Sequence, residues 1–105
     1  MQDQPSSFND DARRALRKPV RLTAQLRDRG STRKFTIALV DLSLSGFRAE
    51  TIARLHEGTL VWLTLPGMAG LEARVVWIDH VRCGCAFTQP LHQAVFDRIV
   101  ALSEA

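Results

Sequence analysis

Two short stretches of the chain carry residue types that could do chemistry. The first is Arg13-Arg14-Ala15-Leu16-Arg17, continued by Lys18-Pro19-Val20. Arg13 and Arg17 stand four residues apart, a spacing that sets both on one side of the segment whether it is helical or extended. Paired guanidiniums make a planar, multidentate site for phosphate oxygens or for the O6/N7 edge of guanine. Arg17 and Arg21 repeat that spacing, so the pair can also be read one step later, with Arg21 on the polar face of a strand. The second stretch is Asp41-Leu42-Ser43-Leu44-Ser45-Gly46-Phe47. It offers a carboxylate, a hydroxyl two residues on, and a glycine that permits a tight turn or close backbone approach. A carboxylate accepts from the N1–H and 2-amino donors of guanine, and Ser43 can bond a phosphate or a base. Arginine for one edge, aspartate for the other and glycine for access form a guanine-binding inventory. The plainer reading is a solvated basic leader followed by a Ser/Asp turn, with Asp41 accepting from nearby backbone N–H groups. The turn reading does not compete with the binding one, since both describe the same loop.

These stretches need a scaffold, and the hydropathy pattern predicts one. From Val20 apolar and polar residues alternate (Val20, Leu22, Ala24 and Leu26 against Arg21, Thr23, Gln25 and Arg27), the pattern of a half-buried strand. A loop at Asp28–Thr32 leads to a second strand over Arg33–Leu42, and a hairpin is the natural topology. Ser43–Gly46 breaks the pattern, Phe47–Thr51 resumes it, and Ile52–Gly58 connects onward. Further strands are expected over Thr59–Leu65, Leu71–Asp79 and Arg82–Thr88, the fourth stopped by Pro66 and Gly67. Six short strands at regular spacing predict a small antiparallel barrel or sandwich. The period then changes: Leu91, Val95, Ile99 and Leu102 recur at helical spacing after Pro90, so the chain ends in a helix whose apolar stripe must pack on the sheet, most simply over one mouth of a barrel. Trp62, Trp77 and Phe47 sit in strand patterns and are assigned to the core, and His80 and His92 to the surface.

Composition narrows the functional classes. The chain has 105 residues, 46% hydrophobic and 24% charged, the profile of one globular domain. Its net charge of +3 is unevenly spread: residues 1–48 hold ten Lys or Arg against five Asp, while residues 49–105 hold four Arg against six acids. A basic first half points to an anionic partner. No apolar run is long enough for a transmembrane helix and Met1–Asp11 lacks a signal-peptide core, so a cytoplasmic location is expected. Residues 1–11 read as a polar, flexible leader. Cys83 and Cys85 would share one strand face and bridge poorly, so they are expected to be small core residues; the histidines show no metal-ligand spacing. No nucleophile, base and phosphate-loop combination appears, which leaves no enzyme, no catalytic residue and no metal to propose.

Taken in order, Arg-x-x-x-Arg and, about two dozen residues later, Asp-x-Ser-x-x-Gly resemble the signature of the PilZ domain, a family of bacterial cyclic di-GMP receptors. The resemblance takes in the Pro19-Val20 entry to the first strand, the Val75-Val76-Trp77 strand and the Gly84–Phe87 strand before the helix. It implies a mainly β fold, a six-stranded antiparallel β-barrel with a C-terminal α-helix and a flexible basic N-terminal segment, over residues 12–105 as a single domain. It further implies that Arg13 and Arg17, with Arg14 assisting, grip guanine edges and phosphates of cyclic di-GMP. Asp41 would take a guanine Watson–Crick edge, Ser43 would hydrogen-bond the ligand and Gly46 would shape the turn. The family's Pro-Val after the pair favours Arg13/Arg17 over Arg17/Arg21, and one or two ligand molecules fit the motif. The function expected is that of a receptor needing no cofactor, whose Arg segment moves on binding and signals to a downstream protein. Alternatives from other classes are a small nucleic-acid-binding barrel, disfavoured because no aromatic row interleaves with the arginines, and a degenerate domain kept for protein contact.

Overall fold

The computed structural model describes residues 16–104. The leader at 1–11, and with it Arg13 and Arg14, lies outside the described residues. Six strands come in chain order: β1 (Lys18–Asp28), β2 (Lys34–Leu42), β3 (Gly46–Glu50), β4 (Leu60–Thr64), β5 (Leu71–Asp79) and β6 (Arg82–Phe87), and then one helix, α1 (Gln93–Glu104). All neighbouring strands pair antiparallel and close into a barrel in the order β1-β2-β3-β6-β5-β4. Two three-stranded meanders are thus joined edge to edge, β3 against β6 and β4 back against β1. Closure leaves an interior narrow enough for side chains to fill. Leu26, Ile37, Leu39, Leu42, Val61, Leu63 and Val75 fill it together with Phe47, whose ring meets that of Phe87 at 5.5 Å. No helix among the described residues is long and apolar enough to cross a membrane.

The expected mainly β barrel with a C-terminal helix is what the chain forms, with three local differences. β1 begins at Lys18, so Pro19 lies inside the strand, opposite Asp41. A strand proline is tolerated there because β4 pairs only with Gln25–Asp28, leaving the first half of β1 without a strand on its other side. α1 packs against that half, and Ser103 Oγ accepts from the Arg21 backbone N–H at 2.8 Å. The helix itself starts two residues after Leu91, since the His92 imidazole caps it by accepting from the Ala94 N–H at 3.2 Å. Of the predicted stripe, Leu91 and Ile99 reach the core and Val95 packs against it partly buried, while Val100 rather than Leu102 completes the buried face. Phe47 is 1% exposed, as expected, but Trp62 and Trp77 are half-buried on the outer wall rather than in the core. In β4 the inward positions are Val61 and Leu63, an alternation hidden by the unbroken apolar run around Trp62.

Trp77 is outside for a different reason, which also governs Asp41. Simple alternation would put residues 37, 39 and 41 of β2 on one face, and 73, 75 and 77 of β5 likewise. Each strand carries one extra residue at the critical place. Leu39 pairs with Ala49 but Asp41 pairs with the very next residue of β3, Arg48, so Val40 is a bulge. Val75 pairs with Cys85 but Trp77 pairs with Gly84, so Val76 is another. A bulge inverts the inside–outside parity of the strand beyond it. Ile37 and Leu39 point inward, and beyond Val40 it is Leu42 that points inward and Asp41 that turns out.

Candidate functional site

The strand pairings align Asp41 on β2 with Arg48 on β3, Arg48 with Gly84 on β6, and Gly84 with Trp77 on β5. These four residues form one cross-strand row on the outer wall, and Pro19 extends it to β1. Arg17, one residue ahead of β1, reaches over the row. Its Nη1 donates to Asp41 Oδ1 at 3.0 Å, and Arg48 Nε donates to Asp41 Oδ2 at 2.6 Å, with Arg48 Nη2 on the same oxygen. Asp41 is only 6% exposed, because the two guanidiniums lie over it while keeping about two-fifths of their own surface in water. The Arg48 guanidinium is held above its ordinary range by the hydrogen bond to Asp41 and the attraction of its charge.

The loop between β2 and β3 is held by one hydroxyl. Ser43 Oγ accepts from the N–H groups of Ser45 and Gly46, both at 3.2 Å, and lies 3.3 Å from the Gly46 carbonyl and 3.2 Å from Ser45 Oγ. A serine hydroxyl has one donor and two acceptor sites, so all three are occupied within the turn. Ser43 is 0% exposed, and in this arrangement the loop leaves its side chain nothing to offer a ligand. The turn is closed by the Ser43 N–H donating to the Gly46 carbonyl at 2.9 Å. Gly46 is the first residue of β3, and what requires a glycine there is proximity: a Cβ would run into the Cys85 carbonyl oxygen of β6. Gly84 is required by a side chain instead, since the Trp77 indole lies where its Cβ would be.

Beside the row runs a cleft of about 120 Å³. Arg17 borders it at one end and Trp77 and Val76 at the other, and its floor is formed by Gly46, Gly84 and Ala86. Drug-sized ligands occupy pockets of about 300–1,000 Å³, so a dinucleotide could seat only part of itself here and would lie along the wall. A larger cleft of about 570 Å³, lined by Thr23, Gln25, Thr36, Thr64 and Met68 among others, has no charged side chain to hold an anion.

Of the residues singled out in the sequence, Arg17, Asp41, Ser43 and Gly46 come together at this wall, while Arg13 and Arg14 lie outside the described residues. Arg21 belongs to β1 beside the helix end, not to the Asp41 cluster. Sequence reasoning missed Arg48 and misassigned Trp77. Arg48 was within reach: a hairpin folded about Ser43–Gly46 sets Leu42 against Phe47 and therefore Asp41 against Arg48. Cys83 and Cys85 are buried free thiols on the inner face of β6, as their spacing predicts. The hydrogen bond with Cys83, reinforced by burial, pushes the Cys85 thiol far up, so it stays protonated.

Fold and site together define a small closed barrel with a charged, tryptophan-ended cleft on its outer wall. A family model, the PilZ domain, matches residues 11–105, and the chain belongs to that family, known as cyclic di-GMP-binding domains. Among solved structures it is similar to the crystal structure of the PilZ domain of CeSA from a cellulose-synthesizing bacterium. The two share 24% identity and a TM-score of 0.64, over 87% of this chain and 100% of that one, a likeness of fold. No curated protein matches the chain.

Proposed function

We propose that the chain is a cyclic di-GMP receptor that binds the dinucleotide along the outer wall between Arg17 and Trp77, without catalysis. The observation that best supports this is the meeting of Arg17 with Asp41, 24 positions apart in sequence, at the cleft of a PilZ-family barrel. The ligand carries two phosphate charges and two guanines. Arg17, joined by Arg13 and Arg14 from the segment ahead of it, serves the phosphates and guanine O6/N7 edges; Asp41 takes a Watson–Crick edge; Ser43 and Gly46 shape the loop beneath.

Asp41 is covered by Arg17, so a base reaches the carboxylate only when Arg17 gives up its hold. The ligand provides the replacement partner for each: phosphate for Arg17, guanine N–H donors for Asp41. Base recognition is thereby coupled to movement of the segment entering β1, and a displaced basic segment is a surface that a downstream protein can read.

Calorimetric titration with cyclic di-GMP, with GTP and cyclic di-AMP as controls, tests the reading. Selective binding at micromolar affinity or tighter is expected, and the plateau gives one or two ligands per chain. Absence of binding would transfer the function to protein contact or, if affinity for nucleic acid falls steeply with salt, to a phosphate track on the basic half.

A further inference from the structure

We infer that Arg48 is a positioning residue for guanine, fixing the Asp41 carboxylate so that its Oδ1 edge keeps its aim when Arg17 leaves. The inference rests on the receptor reading above and deepens it. A carboxylate offers about four acceptor sites, two on each oxygen. Arg48 donates from Nε to Oδ2 and holds its Nη2 in ion-pair contact with the same oxygen, while Arg17 donates to Oδ1. Departure of Arg17 therefore empties Oδ1 alone. Guanine's adjacent N1–H and 2-amino donors run side by side and can converge on that one oxygen, whereas hypoxanthine presents only N1–H.

Arg48 is placed to stay behind when Arg17 goes. It is in the middle of β3, paired on both sides, with Asp41 opposite on β2 and Gly84 opposite on β6. Arg17 lies outside any strand, at the entry to β1. One guanidinium is anchored in the barrel wall and the other in the segment ahead of it, so the ligand displaces the second and is aimed by the first. A planar guanidinium set against one oxygen, with Nε donating and Nη2 beside it, orients the carboxylate in a way that a point charge at the same place does not.

The test compares cyclic di-GMP with its inosine analogue, which lacks both 2-amino groups, by calorimetry on wild type, Arg48→Lys and Arg48→Ala. A hydrogen bond to a charged group corresponds to roughly tenfold or more in affinity, so wild type should prefer the guanine ligand by about that factor. Arg48→Lys keeps the charge and the thermal midpoint, but its preference should fall to about threefold or less. Arg48→Ala should lose about tenfold in affinity for cyclic di-GMP as well, and if it does not fold, the lysine variant carries the test. Unchanged preference in Arg48→Lys overturns the positioning role while leaving the receptor reading intact. Failure of wild type to bind cyclic di-GMP overturns the receptor reading itself and this inference with it. Binding by wild type without preference for guanine leaves a receptor but removes the Asp41–guanine contact that Arg48 would aim.

Discussion

Asp41 and Trp77 face outward on one cross-strand row, joined across the barrel wall by Arg48 and Gly84. Neighbouring strands lie about 4.8 Å apart, so the three steps between them span at most roughly 14 Å. That is a span a dinucleotide can bridge, one base on the carboxylate and the other against the indole.

Trp77 should therefore report binding. Its fluorescence is expected to change on adding cyclic di-GMP, and Trp77→Ala to weaken affinity by about 1–3 kcal/mol, the range for a base stacked on an aromatic ring. Trp62 is the internal control, because it faces outward on β4 between Arg27 and Glu72, away from the cleft. Trp62→Phe should leave the fluorescence response in place and Trp77→Phe should remove it. The reverse pattern would place the ligand on another wall.

Arg17→Ala should cost about 2–3 kcal/mol of binding, since it removes charge-assisted contacts to phosphate or guanine. Its effect on folding should stay within about 1 kcal/mol, because the ion pair it forms with Asp41 is open to water on the arginine side. Titration calorimetry beside a denaturant melt separates the two. An affinity loss of less than about twofold would remove Arg17 from the site.

The two bulges also explain which parts of the molecule are legible in the sequence. Strand positions, the hairpin and the helix come from periods of two and 3.6 residues, and β5 spans Leu71–Asp79 as its pattern predicts. Asp41 and Gly46 are visible as a motif, because their types and spacing are local. The direction in which Asp41 and Trp77 point is not legible, since one inserted residue reverses it and neither Val40 nor Val76 differs in type from an ordinary strand residue. The role of Ser43 is legible only as two alternatives, turn or ligand contact, and its bonds in the structure are those of the turn.

Ser43→Ala is accordingly expected to act first on stability. The substitution removes the acceptor of the buried Gly46 N–H and of the Ser45 N–H at the exposed tip of the turn, a loss of about 1–3 kcal/mol. Urea unfolding of the ligand-free chain measures it. A variant as stable as wild type but unable to bind would instead give Ser43 a direct contact with the ligand.

The two glycines on the cleft floor should behave in opposite ways, although each would bring a Cβ into a forbidden contact. At Gly46 the obstacle is the Cys85 carbonyl oxygen, part of the β3–β6 ladder in which Phe47 pairs with Cys85. Backbone there cannot retreat without parting one of the two seams that join the halves of the barrel, so Gly46→Ala should lower the thermal midpoint sharply or prevent folding. At Gly84 the obstacle is the Trp77 indole, a side chain on the outer wall that can swing toward solvent. Gly84→Ala should fold and melt near wild type, but its free-state tryptophan emission should shift to the red as the ring is exposed, and affinity for cyclic di-GMP should drop because the end of the cleft has moved. The comparison isolates what each glycine contributes: Gly46 permits the barrel to close, and Gly84 makes room for the ring that ends the cleft. A Gly84→Ala variant with unchanged emission and unchanged affinity would contradict the place given to Trp77.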